Sequence, residues 1–127
     1  MFSHMMVGSN DLERSRRFYD ALFATTGGKP GVVDPLGRLV YVNKGGRFLV
    51  TTPIDGRPAT PGNGSTIGFL VDGPEQGEAW HAAGAANGGT AIEEDPGARE
   101  SPFGPIYLAY LRDPDGNKLC ALHRMAA

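Results

Sequence analysis

The sequence predicts an α+β fold built from two tandem βαβββ units, on three observations. Asp113-Pro114-Asp115-Gly116-Asn117 is a hairpin signature between strand-like runs at 107–111 and 118–122, and Asn43-Lys44-Gly45-Gly46-Arg47 echoes it between 39–42 and 48–51. A strand followed by a helix occurs twice, at 3–7 with 11–23 and at 66–71 with 74–86, with His4 and Thr66 standing 62 residues apart. Nineteen glycines and ten prolines in 127 residues favour many tight turns over long helices. Repetition of this kind means that equivalent positions of the two units face a shared site.

Each element follows from local chemistry. Residues 2–7 are a short strand ending at Gly8-Ser9-Asn10, where Asn10 or Ser9 is expected to cap the next helix by accepting from its free N–H groups. In 11–23, Leu12, Ser15, Phe18, Tyr19 and Leu22 form a stripe at helical spacing, and Asp11 and Glu13 suit the positive end of the dipole. Gly27-Gly28 ends this stretch. Val32-Val33 is a strand, Asp34-Pro35-Leu36-Gly37 a turn, 38–43 the next strand, and Lys44-Gly45-Gly46 returns the chain into 48–52. Residues 53–64 are rich in breakers and read as a connector, giving unit one 1–58, connector 53–64 and unit two 65–127 within one domain. In unit two, Pro74 suits a first helical turn, Trp80 stands where Phe18 stands in unit one, and Asn87-Gly88-Gly89 closes the helix. Residues 90–92 are a short strand, 93–105 a long irregular loop able to present Phe103 as a lid, and 106–123 the final hairpin.

Composition narrows the function. A net charge of −2 offers no basic field for phosphate backbones, so nucleic acid is not an expected partner. The single cysteine forms no internal disulfide and fits a reducing cytoplasm. Neither a signal-type apolar run nor a membrane-length one is present in the sequence. The expectation is a cytoplasmic protein that handles a small molecule, with no membrane partner.

Three segments in this order resemble the vicinal-oxygen-chelate superfamily, which includes glyoxalases, bleomycin-resistance proteins and extradiol dioxygenases. They are His4 with Asn10-Asp11-Leu12 and Arg17-Phe18-Tyr19-Asp20; residues 66–71 with their helix; and residues 110–119 around the Asp-Pro-Asp-Gly-Asn turn. The resemblance spans nearly the whole chain. It implies a curved eight-stranded sheet with helices outside and a concave pocket inside. It also implies a homodimer, since one chain leaves open sheet edges.

Strand alternation then nominates the pocket. Ile67, Phe69 and Val71 suit the helix side, leaving Thr66 and Gly68 inward. The repeat adds His4 and Met6, and the hairpin echo adds Phe48, Val50, Lys118 and Cys120. Tyr107 and Tyr110 differ in parity, and Tyr110 is the pocket candidate. Metal enzymes of the superfamily place His or Glu ligands at four such positions, which the resemblance carries onto His4, Val50, Thr66 and Cys120. Only His4 keeps a usual ligand type, so no metal and no cofactor is expected. His4 is read either as a pocket group or as a histidine bonded to backbone; Cys120 as a pocket thiol or a small buried hydrophobe. Two functions stay open. One is a glyoxalase/bleomycin-resistance-like protein that binds a small molecule with the usual metal site lost. The other is a lyase or isomerase of the lactoylglutathione-lyase type, with Zn or Ni at an altered site around His4 and a carboxylate from Glu93, Glu94 or Glu100.

Overall fold

A computed structural model describes residues 1–126. The elements run β1 (Met5–Gly8), α1 (Leu12–Ala24), β2 (Val32–Val33), β3 (Leu39–Asn43), β4 (Gly46–Thr51), β5 (Ile67–Leu70), α2 (Pro74–Ala86), β6 (Thr90–Ala91), β7 (Gly97–Arg99), β8 (Ile106–Arg112) and β9 (Lys118–Arg124). One sheet has the order β1-β4-β3-β2; the other has β5-β9-β8-β6, with β7 also on β8. The two orders are the same once β6 and β7 are taken as halves of one strand. Ala91 lies opposite Leu111 and Gly97 opposite Leu108, so six residues on one side advance against three on the other. The surplus, around Glu93 to Pro96, bulges out. Part of the loop expected at 93–105 is therefore a strand, and nine strands among the described residues fill eight places.

The α1 stripe buries Ser15, Phe18, Tyr19, Leu22 and Phe23. Its cap is Asp11, not Asn10 or Ser9: the Asp11 carboxylate accepts from the Arg14 N–H at 3.1 Å. Ser9 acts one step earlier, its hydroxyl accepting from the Asp11 N–H. Tyr19 and Phe23 lie on the first sheet, with ring centroids 4.9 Å between Tyr19 and Phe48 and 5.0 Å between Phe23 and Tyr41. In α2 the buried residues are Gly77, Trp80 and Gly84, packed on β8 and β9. Phe18 and Trp80, equivalent in the repeat, are both fully buried in one core that both units share. Each large ring buried there contributes about 2–3 kcal/mol of apolar transfer.

The Asp-Pro-Asp-Gly-Asn turn clamps unit two onto unit one. Asp113 Oδ2 accepts from the Tyr19 hydroxyl at 2.6 Å and from Asn117 Nδ2, while Oδ1 accepts from the Asp115 and Asn117 N–H groups. The Asp115 carboxylate is buried at the start of α1, accepting from the Asn10 N–H at 2.9 Å, Arg14 Nη2 at 2.8 Å and the Ser15 hydroxyl at 3.3 Å. Negative charge belongs there, because the unpaired N–H groups of a helix start carry partial positive charge. The connector is held as well: the Asn10 side chain donates to the Ala59 carbonyl and accepts from the Ala59 N–H.

Buried phenols make the fold sensitive to base. Burial, and then the Asp113 charge, hold the Tyr19 phenol well above its ordinary pKa; burial pushes Tyr107 to about 12. A phenol raised in the folded state stabilises fully below the unfolded value of about 10, and that stability is lost as pH rises toward the folded value. The melting temperature should stay level up to about pH 10 and then fall steeply, with a shallower fall for Tyr19→Phe. A pH-independent melting temperature up to pH ~11 would contradict this account.

Candidate functional site

Each sheet has one face under its helix and one face open. In unit two the register pairs Gly68 with Cys120 and Leu70 with Leu122. Across β8 and β9 it pairs Tyr110 with Cys120 and Arg112 with Lys118. Residues paired across a ladder share a face, and the helix face is taken by Leu119, Ala121, Ala109 and Leu111, all fully buried. Gly68, Tyr110, Lys118 and Cys120 are therefore together on the open face. Gly68 leaves room for the thiol: a Cβ there would sit 3.3 Å from Cys120 Sγ. The Lys118 ammonium lies 4.9 Å over the Tyr110 ring and pairs with Glu93. Burial raises the Cys120 thiol, with Lys118 opposing and Glu93 reinforcing the shift. Cys120 is thus a neutral thiol at pH 7, a small apolar wall rather than a poised nucleophile.

Unit one departs from the expected parity. Phe48 lies opposite Met5 and Val50 opposite Val7. Val50 is fully buried in the core with Phe48, on the helix face. The open face instead carries Met6 and its ladder partner Leu49. The cause is turn length. Asn43 pairs with Gly46 across two residues, Lys44 and Gly45, both at positive φ (50° and 81°), the geometry of a type I′ turn. The equivalent Asp113 receives its strand partner only at Asn117, across three residues. One extra residue shifts the last strand by one, so Cys120 corresponds to Leu49 rather than Val50. Both are buried, and both lie outside the main core cluster.

His4 and Thr66 precede β1 and β5 at matching places, and both are exposed. The hydrogen bond that His4 makes is between its Nδ1 and the Ser3 hydroxyl, at 2.7 Å, rather than with backbone. Phe48, meant for the concave face, instead lines a groove where the two units meet, and Gly68 lines that groove as well as the open face. Nothing local in the sequence reveals that groove, because its walls come from β4, β5 and both helices.

A divalent ion does not fit the donors present. With the corrected register the four positions are His4, Leu49, Thr66 and Cys120: one imidazole, one hydroxyl, one neutral thiol and one hydrocarbon. Zinc asks for three or four protein ligands and magnesium for several oxygens. Among the described residues, no group of three or more His, Cys, Asp and Glu side chains is placed to hold a metal ion. Glu93 is a carboxylate near Cys120, but it is paired with Lys118. No helix among the described residues is long and apolar enough to cross a membrane.

The sequence profile of the Glyoxalase/Bleomycin resistance protein/Dioxygenase superfamily matches residues 1–121. A crystal structure of a glyoxalase/bleomycin resistance protein from Albidiferax ferrireducens T118 is 62% identical, covers 98% of this chain and 99% of its own, and superposes with a TM-score of 0.94. A lactoylglutathione lyase from Agrobacterium tumefaciens is 19% identical, covering 96% of this chain and 92% of its own, at a TM-score of 0.65. A family enzyme from Burkholderia phytofirmans PsJN is 18% identical, covering 97% and 98%, at 0.73. The last two are similar in fold alone. No functionally curated protein matches the chain.

Proposed function

Since the chain belongs to the Glyoxalase/Bleomycin resistance protein/Dioxygenase superfamily, we propose that it is a small-molecule-binding member that works without a resident metal. The observation that carries this reading is the donor set of the open faces. A single imidazole stands where a metal-dependent isomerase needs several ligands and a carboxylate base. What those faces offer is apolar and aromatic surface: Met6, Val42, Leu70, Tyr110 and Cys120, with Lys118 as the cation beside them. Val42 is 60% and Leu70 73% exposed, which favours a partner over the open faces. A second copy of this chain is the partner we propose, closing the ligand pocket between the two copies. A cytoplasmic setting agrees with the lone reduced cysteine.

Elemental analysis of the purified protein, together with an assay on the methylglyoxal–glutathione hemithioacetal, tests the reading. The expected result is no stoichiometric metal and no turnover, with added Zn²⁺ or Ni²⁺ leaving the melting temperature of wild type and His4→Ala equally unmoved. Stoichiometric Zn or Ni that is lost in His4→Ala, with turnover that disappears alongside it, would instead establish the lyase reading.

A further inference from the structure

The groove at the seam of the two units shares Gly68 and Leu70 with the open face of unit two, but its floor and rim have their own chemistry. It has a volume of about 300 Å³, at the small end of ligand sites. Its floor is aromatic: Phe69 meets Phe23 at 5.3 Å and Phe48 at 5.5 Å, both edge to face, and Trp80 lies beyond it at 6.4 Å. Its rim is cationic, with Lys44 and Arg47. Carboxylates are not among the residues that line it.

Three details point to a ligand rather than to passive packing. Arg47 has no ion-pair partner among the described residues. Lys44 occupies a left-handed turn position, φ 50°, which glycine or asparagine fills at lower cost. Its ammonium reaches Asp72 of unit two at 3.1 Å, an exposed pair that solvent screens and a competing anion can replace. Beneath the floor, the fully buried Trp80 keeps an indole N–H without an acceptor. A buried donor left unpaired is costly, so the floor is not built for packing alone.

We propose that this groove binds a small amphipathic anion, a carboxylate carrying one aromatic ring or a short branched chain. The apolar end rests on Phe23, Phe48 and Phe69, and the carboxylate meets Lys44 and Arg47. Apolar burial supplies the affinity, and the two cations select for charge.

Trp80 is the only tryptophan, so its fluorescence reports on the floor of the groove. The full chain is titrated with 4-phenylbutyrate and with its uncharged counterpart, 4-phenylbutan-1-ol. Saturable change in fluorescence is expected for the carboxylate, with the alcohol binding about tenfold or more weakly. The double variant Lys44→Ala/Arg47→Ala, checked for an unchanged fold by its melting temperature, should bind the carboxylate no better than the alcohol. Arg124→Ala, which removes an exposed cation elsewhere, should leave binding as it is. Added salt should weaken the carboxylate alone. The proposal is overturned if the carboxylate does not bind, if the alcohol matches it, or if the double variant binds it as tightly as wild type.

Discussion

Asp113→Ala is expected to lower the melting temperature by about 10–15 °C, corresponding to about 3–5 kcal/mol for a chain of this size. The side chain is 4% exposed and its two oxygens accept from four donors. Alanine leaves the Tyr19 hydroxyl buried without an acceptor and removes two bonds that shape the turn. The turn then loses its hold on Asp115, which caps the start of α1 from unit two. Tyr19→Phe removes one bond of the four and should cost about 1–2 kcal/mol. In a double-mutant cycle the two changes should be strongly less than additive, since the hydroxyl and the carboxylate share one contact. A loss of only a degree or two in Asp113→Ala, measured by calorimetry, would mean that the clamp does not couple the units.

The architecture was legible because its signals are local and occur twice. Each strand, helix and turn is written within about a dozen residues, and the second copy repeats the order of the first. Register was less legible. Parity along a strand is fixed, but parity between units depends on every intervening turn. Asn43-Lys44-Gly45-Gly46 and Asp113–Asn117 both read as hairpins, yet one has a single residue more. That residue turned Val50 into the core and brought Leu49 to the position matching Cys120. The donor count is the same under either assignment, because neither valine nor leucine coordinates a metal.

Other parts of the molecule lie beyond any local reading. The sequence marks Asp113 to Asn117 as a turn, and nothing nearby says that its two carboxylates dock on Tyr19 and Arg14, some hundred residues earlier in the chain. The seam groove is of the same kind. Phe69 and Trp80 read as core residues and Phe48 as a pocket residue, and only their meeting with Phe23 across the two units leaves space between them. Lys44 and Arg47 enter the sequence reading only as part of a hairpin signature, and nothing local says that a groove lies beneath them.

Gly77→Ala is the second large effect, and its sign opposes helix propensity. In an exposed helix interior, alanine gains about 1 kcal/mol over glycine. Here the new Cβ would lie 2.1 Å from Cε1 of the Tyr107 ring and 2.8 Å from its Cζ. Tyr107 is 2% exposed within the shared core, so its ring has no free space to enter. Either α2 lifts from β8 or the ring leaves its rotamer, and overpacking of this kind outweighs the propensity gain, for a net loss of about 2–4 kcal/mol. Gly84, seven residues on, meets Leu111 in the same way, so α2 lies on the sheet by bare backbone on either side of Trp80. Gly73→Ala supplies the contrast: the residue caps the same helix with extended backbone and nothing within 4 Å of its Cβ, and should be nearly neutral. Adding Tyr107→Val to Gly77→Ala should restore part of the lost stability by removing the ring that the methyl strikes. If Gly77→Ala melts at or above the wild-type temperature, the close contact between α2 and β8 is not what holds this half of the molecule together.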